Sequence, residues 1–68
     1  MRIELNGEEI EVQAGARVGD AVAETGANPD RRGLAVAVDG EVVPRSAWAA
    51  TELSDGARVE VVAAVQGG

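Results

Sequence analysis

Two dipeptides do most to limit the folds open to this 68-residue chain: Asn6-Gly7 and Asp39-Gly40, each set between two runs of strand-forming residues. Asn-Gly and Asp-Gly accept the positive φ that both central residues of a type I′ turn require. That turn matches the twist of paired strands, so each site predicts a tight β-hairpin. In the first, Ile3 and Leu5, then Ile10 and Val12, alternate with Glu4, Glu9 and Glu11. A two-residue loop sets Ile3 opposite Ile10 and Arg2 opposite Glu11, and leaves Glu4 against Glu9 as a like-charge pair expected in solvent. In the second, Leu34-Ala35-Val36-Ala37-Val38 leads through Asp39-Gly40 into Glu41-Val42-Val43. Pro44 follows, and because it has no N–H to give a ladder it ends that strand or confines it to a sheet edge.

Between the hairpins the period changes. Val18, Ala21, Val22 and Thr25 share one helical face and Asp20 and Glu24 the other, which predicts a short amphipathic helix over 18–25. Gly26 is placed as its C′ residue, and Asn28-Pro29-Asp30 turns the chain. The helix start is poorly encoded, since neither Ala16 nor Arg17 is a good cap and Arg17 brings positive charge to the positive end of the dipole. Downstream, Ser46 is positioned to cap one turn containing Ala47, Trp48 and Ala49, and Asp55-Gly56 turns into a last strand over 58–64. That strand alternates at first and then becomes apolar on both faces, the pattern of a central strand or of one whose outer face another molecule covers. The order predicts an α+β domain with a mixed sheet of four to five strands packed on one main helix. The last strand lies in the middle beside the first, the arrangement of a β-grasp. Residues 1–64 make up this domain, and Val65, Gln66, Gly67 and Gly68 a flexible C-terminal tail.

Composition excludes most chemistry. The chain has no cysteine, histidine or lysine. It therefore has no disulfide or thiolate metal site, no imidazole base and no Schiff-base or P-loop lysine. No catalytic residue, metal set or cofactor site is expected. Twelve acidic residues against six arginines give a formal charge of −6, which repels nucleic acid and anionic membrane and favours a protein partner with a basic face. No apolar run suggests a signal peptide or membrane span, so the expected location is the cytoplasm. Glu8, Glu9 and Glu11 read as a solvated face, and Asp39 and Asp55 as turn residues.

The reactive group that remains is the carboxylate of Gly68. The two glycines have no Cβ and can lie extended in a passage too narrow for other residues. Val65 to Gly68 reach about 13–14 Å when extended. A docking face must offset the entropy of ordering them, and it is expected on the outward side of the last strand at Val62 and Ala64, joined by Val42 and flanked by an arginine. Arg45 stands between a turn contact and a partner contact. Trp48, the one aromatic residue, stands between a core filler and a docking contact, the former favoured in a chain so poor in aromatics.

The stretch Ala35-Val36-Ala37-Val38-Asp39-Gly40-Glu41-Val42-Val43-Pro44-Arg45-Ser46, with Trp48, then Leu53, Asp55-Gly56 and Val59-Glu60-Val61, ending in Gly67-Gly68, resembles the ThiS family of thiamin-biosynthesis sulfur carriers. The resemblance runs the whole length and implies a ubiquitin-like β-grasp fold. It also implies that the Gly68 carboxylate is adenylated by a ThiF-type adenylyltransferase that uses ATP. A sulfur donor protein then converts it to a thiocarboxylate, which gives its sulfur to the thiazole synthase ThiG. The chain would be a carrier and not an enzyme. It departs from the family at Ala16-Arg17, where a threonine is common, and at Ala57, where a second aspartate is common. Alternatives are a molybdopterin-synthase small-subunit type of carrier, whose chains are usually longer and richer in aromatics, a modifier conjugated to proteins, and a noncovalent ubiquitin-like interaction module.

Overall fold

The computed structural model describes residues 1–63. Strands β1 (Arg2–Leu5) and β2 (Glu8–Glu11) pair antiparallel across Asn6-Gly7, whose φ angles of 50° and 85° are the positive values the turn demands. The register sets Ile3 opposite Ile10, Arg2 opposite Glu11 and Glu4 opposite Glu9, as the alternation requires. The like-charge pair is relieved by arginines as well as by water. Arg2 lies 3.2 Å from Glu9 and 3.7 Å from Glu11, Arg58 lies 3.4 Å from Glu4, and Glu4 is half-buried.

Strands β3 (Leu34–Val38) and β4 (Glu41–Val43) form the second hairpin, with φ of 50° at Asp39 and 84° at Gly40. Pro44 both follows the end of β4 and leaves that strand at the sheet edge. Strand β5 (Arg58–Ala63) takes the middle place in the order β2-β1-β5-β3-β4, parallel to β1 and antiparallel to β3. The sheet is thus mixed and five-stranded.

One face of the sheet is covered by helix α1 (Val18–Glu24) and by the irregular segment between β4 and β5. Ile3, Leu5, Val36 and Val59 meet Val18, Ala21 and Val22 of the helix and Trp48, Leu53 and Ala57 of the segment. Small side chains fill this core around one indole. Ala16 and Ala57, two of the departures noted above, are both buried in it.

Three local expectations are corrected. Thr25 does not extend the buried face; it is the exposed C-cap, and its hydroxyl donates to the Val22 carbonyl at 2.6 Å, ahead of Gly26 at φ 87°. Ser46 is not a cap but lies inside a 3₁₀ turn (Arg45–Ala47) whose cap position is Pro44. The helix start is not weak. Asp20 reaches back to accept the Arg17 N–H at 2.8 Å, and the first helical N–H groups, of Val18 and Gly19, donate to the carbonyls of Thr51 (3.0 Å) and Trp48 (3.2 Å). Orphan donors that a cap side chain usually satisfies are here taken by a neighbouring backbone. Arg17 also turns away from the dipole, donating to the Ala49 carbonyl and lying 3.9 Å from Glu52.

Candidate functional site

Strand β5 immediately precedes residues 64–68, so what holds β5 fixes the position from which they follow. Strand β3 pairs along its full length, from Val38 opposite Val59 to Leu34 opposite Ala63. Both hairpin turns also grip it. Asp39 accepts the Arg58 N–H at 3.0 Å and donates its own N–H to the Arg58 carbonyl at 2.8 Å. Asn6 donates its N–H to the Val59 carbonyl at 2.9 Å, and its side-chain oxygen accepts the Val61 N–H at 2.8 Å. The Asn6 carboxamide thus continues the β1–β5 ladder beyond the last residue of β1. Replacing Asn6 with glycine keeps the positive φ and removes only this clip. The Val61 amide is expected to exchange roughly fivefold to tenfold faster, as the loss of about 1 kcal/mol implies, with little change at Val36. Unchanged exchange at Val61 counts against the clip.

With Val36 and Val59 turned to the core, Ala35, Ala37 and Val62 project from the opposite face, joined by Val42 of β4. Ala35 is the partner of Val62 and Ala37 of Val42. These four make an apolar strip across β5, β3 and β4. Val42 is 77% exposed and Val62 57%, values that nothing in the core explains. Across the same face the β1–β2 half is charged, and a shallow groove lined by Glu4, Asn6, Gly7, Arg58, Glu60 and Val62 marks the boundary.

Of the residues read from sequence, Val62 and Val42 therefore share one surface, and Ala35 and Ala37 complete it. Those alanines were legible in the alternation of β3 once its register with β5 was known. Trp48 is elsewhere: it is 4% exposed, and its indole Nε1 donates to the Val43 carbonyl at 2.9 Å. It is a core residue and offers a partner no face. Arg45 is exposed but occupied. Its guanidinium lies 4.6 Å from the Trp48 ring centroid and donates to the carbonyls of Pro29 and Arg31, which ties the 3₁₀ turn to the loop before β3. Ala64, Val65, Gln66, Gly67 and Gly68 lie outside the described residues.

The model of the ThiS family matches residues 2–68. The crystal structure of the thiamine biosynthesis protein ThiS from Geobacter metallireducens superposes with a TM-score of 0.81 at 27% identity, over the whole of both chains. A solution NMR structure of a thiamine biosynthesis protein from the same organism gives 0.72 at 28% identity, over all of this chain and 88% of that one. A protein named thiazole synthase, from Paramagnetospirillum magneticum, is 37% identical over all 68 residues, which span only 20% of its own length. A family match that runs from β1 through the diglycine, on a sheet and helix shared with a ThiS structure from end to end, places this chain in the ThiS family.

Proposed function

We propose that the chain is a sulfur carrier of thiamin biosynthesis, with Gly68 as the group that is loaded. The observation that carries this reading is the reach of the family match, which includes Gly67 and Gly68 as well as the domain. A carboxylate is a poor electrophile, because its charge repels nucleophiles and oxide is a bad leaving group. In the proposed reaction a Gly68 oxygen attacks the α-phosphorus of ATP held by a ThiF-type adenylyltransferase, and pyrophosphate leaves. A persulfide sulfur on a donor protein then adds to the acyl carbon and displaces AMP, and a thiol cleaves the S–S bond of the resulting acyl disulfide, so that the thiocarboxylate leaves and the thiol becomes part of a disulfide on the donor. The chain supplies no catalytic group and no cofactor of its own; it presents the acyl carbon.

Thiazole synthase, of the ThiG type, is the proposed acceptor. A relative of that name carries a stretch like this chain within its own polypeptide, which favours thiazole formation over the molybdopterin alternative. Among the described residues no helix is long and apolar enough to cross a membrane. The cytoplasm is the proposed location, because the proposed loading step consumes ATP.

Docking is assigned to the strip of Val62, Ala35, Ala37 and Val42. The double substitution V42T/V62T keeps side-chain shape and strand propensity while placing two hydroxyls where methyls were. It is expected to leave the melting temperature nearly unchanged and to weaken association with the adenylyltransferase about tenfold. Equal affinity, measured by calorimetry, rules the strip out as the docking centre. The function itself is tested by intact mass after incubation with adenylyltransferase, ATP and a sulfur donor. One oxygen-to-sulfur exchange at Gly68 is expected, and its absence with a competent enzyme refutes the reading.

A further inference from the structure

Three of the six arginines pair with carboxylates: Arg2, Arg17 and Arg58. Among the described residues the other three, Arg31, Arg32 and Arg45, pair with none, and all three are gathered at one place. The loop of residues 28–33 is held by its own Asx turn, in which Asn28 accepts the Asp30 N–H on its side chain (2.9 Å) and the Arg31 N–H on its carbonyl (2.8 Å). Arg45 ties it down from the 3₁₀ turn by donating to Pro29 and Arg31. Arg45 is spent on positioning; Arg31 and Arg32 are exposed on the loop it fixes. Three arginines against Asp30 give this end a formal charge of +2 in a chain of −6.

The position of this island follows from the register. Leu34, two residues after Arg32, pairs with Ala63, the last described residue of β5. The basic loop therefore borders the point at which the tail begins, next to the Ala35–Val62 end of the apolar strip. Residues 64–68 reach at most about 17 Å. An enzyme that takes in Gly68 must bring the edge of its entrance within that distance of Ala63, and so up to Arg31 and Arg32.

We infer that Arg31 and Arg32 contact an acidic rim around the opening through which the adenylating enzyme receives the tail, with Arg45 as the positioning residue. This rests on the carrier reading above. In the order β2-β1-β5-β3-β4 the carboxylates of β1 and β2 lie two and three strands from β3, about 10–14 Å across the sheet, with Glu60 of β5 between, and screening over about 8–10 Å weakens their effect on Arg31 and Arg32. The docking face is thus polarised, basic at the root of the tail and acidic at the β1–β2 hairpin, which fixes the rotation in which the domain docks as well as its rate of encounter.

The test compares R31Q/R32Q with Q13E/S54E. Both variants have a formal charge of −8, two below the −6 of the unmodified chain, and all four positions are exposed. At about 50 mM salt R31Q/R32Q is expected to bind the purified adenylating enzyme roughly fivefold to tenfold more weakly, approaching the affinity of the unmodified chain by about 500 mM, while Q13E/S54E stays within about twofold. Far-UV circular dichroism checks that both remain folded. Unchanged or tighter binding of R31Q/R32Q, the result expected if the enzyme's entrance is basic throughout, overturns the inference and leaves the carrier reading intact provided the unmodified chain still gains sulfur. A failure of the unmodified chain to be loaded removes both.

Discussion

Trp48→Ala is expected to abolish the cooperative thermal transition of this domain, or to move it below room temperature. The indole is 4% exposed and is the one aromatic side chain in a core otherwise made of Val, Ala, Ile and Leu. No larger neighbour can relax into the space it leaves, so the cost falls at about 3–5 kcal/mol. A domain of this size has only about 3–5 kcal/mol in total. The removal also strips a partner from the Val43 carbonyl beside Pro44, at the edge strand. The backbone carbonyl of Trp48 accepts the Gly19 N–H at the helix start, so collapse of residues 45–51 reaches α1 as well. Trp48→Phe separates the two contributions: it keeps most of the volume, loses the Nε1 hydrogen bond and is expected to cost about 1–3 kcal/mol while still melting cooperatively. Far-UV circular dichroism against temperature measures both. A Trp48→Ala protein that melts within a few degrees of the unmodified chain would show that the core does not depend on the indole.

The hairpins were legible because their signals are local. At Asn6-Gly7 and Asp39-Gly40 the residues that need positive φ are those that tolerate it, and a period of two leaves one register that buries Ile3 and Ile10 together. The central place of β5 was legible from its change to apolar on both faces. The start of α1 was not, because its donors are satisfied by Thr51 and Trp48 carbonyls, and backbone carbonyls leave no trace in side-chain identity. The same holds for Arg45. Its neighbours in sequence suggested a turn or a partner contact, whereas the register of the second hairpin, Val36 opposite Val43, brings it to the open end beside the loop before β3, where its guanidinium finds backbone carbonyls that leave no trace in side-chain identity. Asn6 was recognised as a turn residue and missed as a clip on β5, since one side chain serves both and only the strand order reveals the second. For the candidate surface, Val62 and Val42 were visible as apolar residues with no inward role. The basic loop was not, because Arg31-Arg32 beside Asp30 looks like any solvated turn until the pairing of Leu34 with Ala63 brings it to the root of the tail.

Deleting Gly68 is expected to cut thiocarboxylate formation roughly a hundredfold or more while leaving the fold unchanged. The core, strands and helix among the described residues lie within 1–63, and Gly68 has no side chain to pack, so the melting temperature is expected to stay where it is. The deleted chain still ends in a carboxylate on a glycine, Gly67, and differs only in ending one residue earlier, about 3.4 Å short. Displacement of a reacting atom by even about 1 Å costs on the order of a hundredfold where catalysis depends on alignment, and adenylation requires the carboxylate oxygen in line with the α-phosphorus. One alanine appended after Gly68 makes the complementary error, carrying the carboxylate too far and putting a Cβ into a passage proposed to admit glycine alone. Loss in both variants, with affinity for the adenylating enzyme falling far less than the rate, assigns the domain surface to recognition and Gly68 to chemistry. A noncovalent module on the same scaffold predicts the reverse, with partner binding and biological activity indifferent to the last residue. If the chain without Gly68 still supports thiazole formation, the carrier reading is wrong, whatever the apolar strip binds.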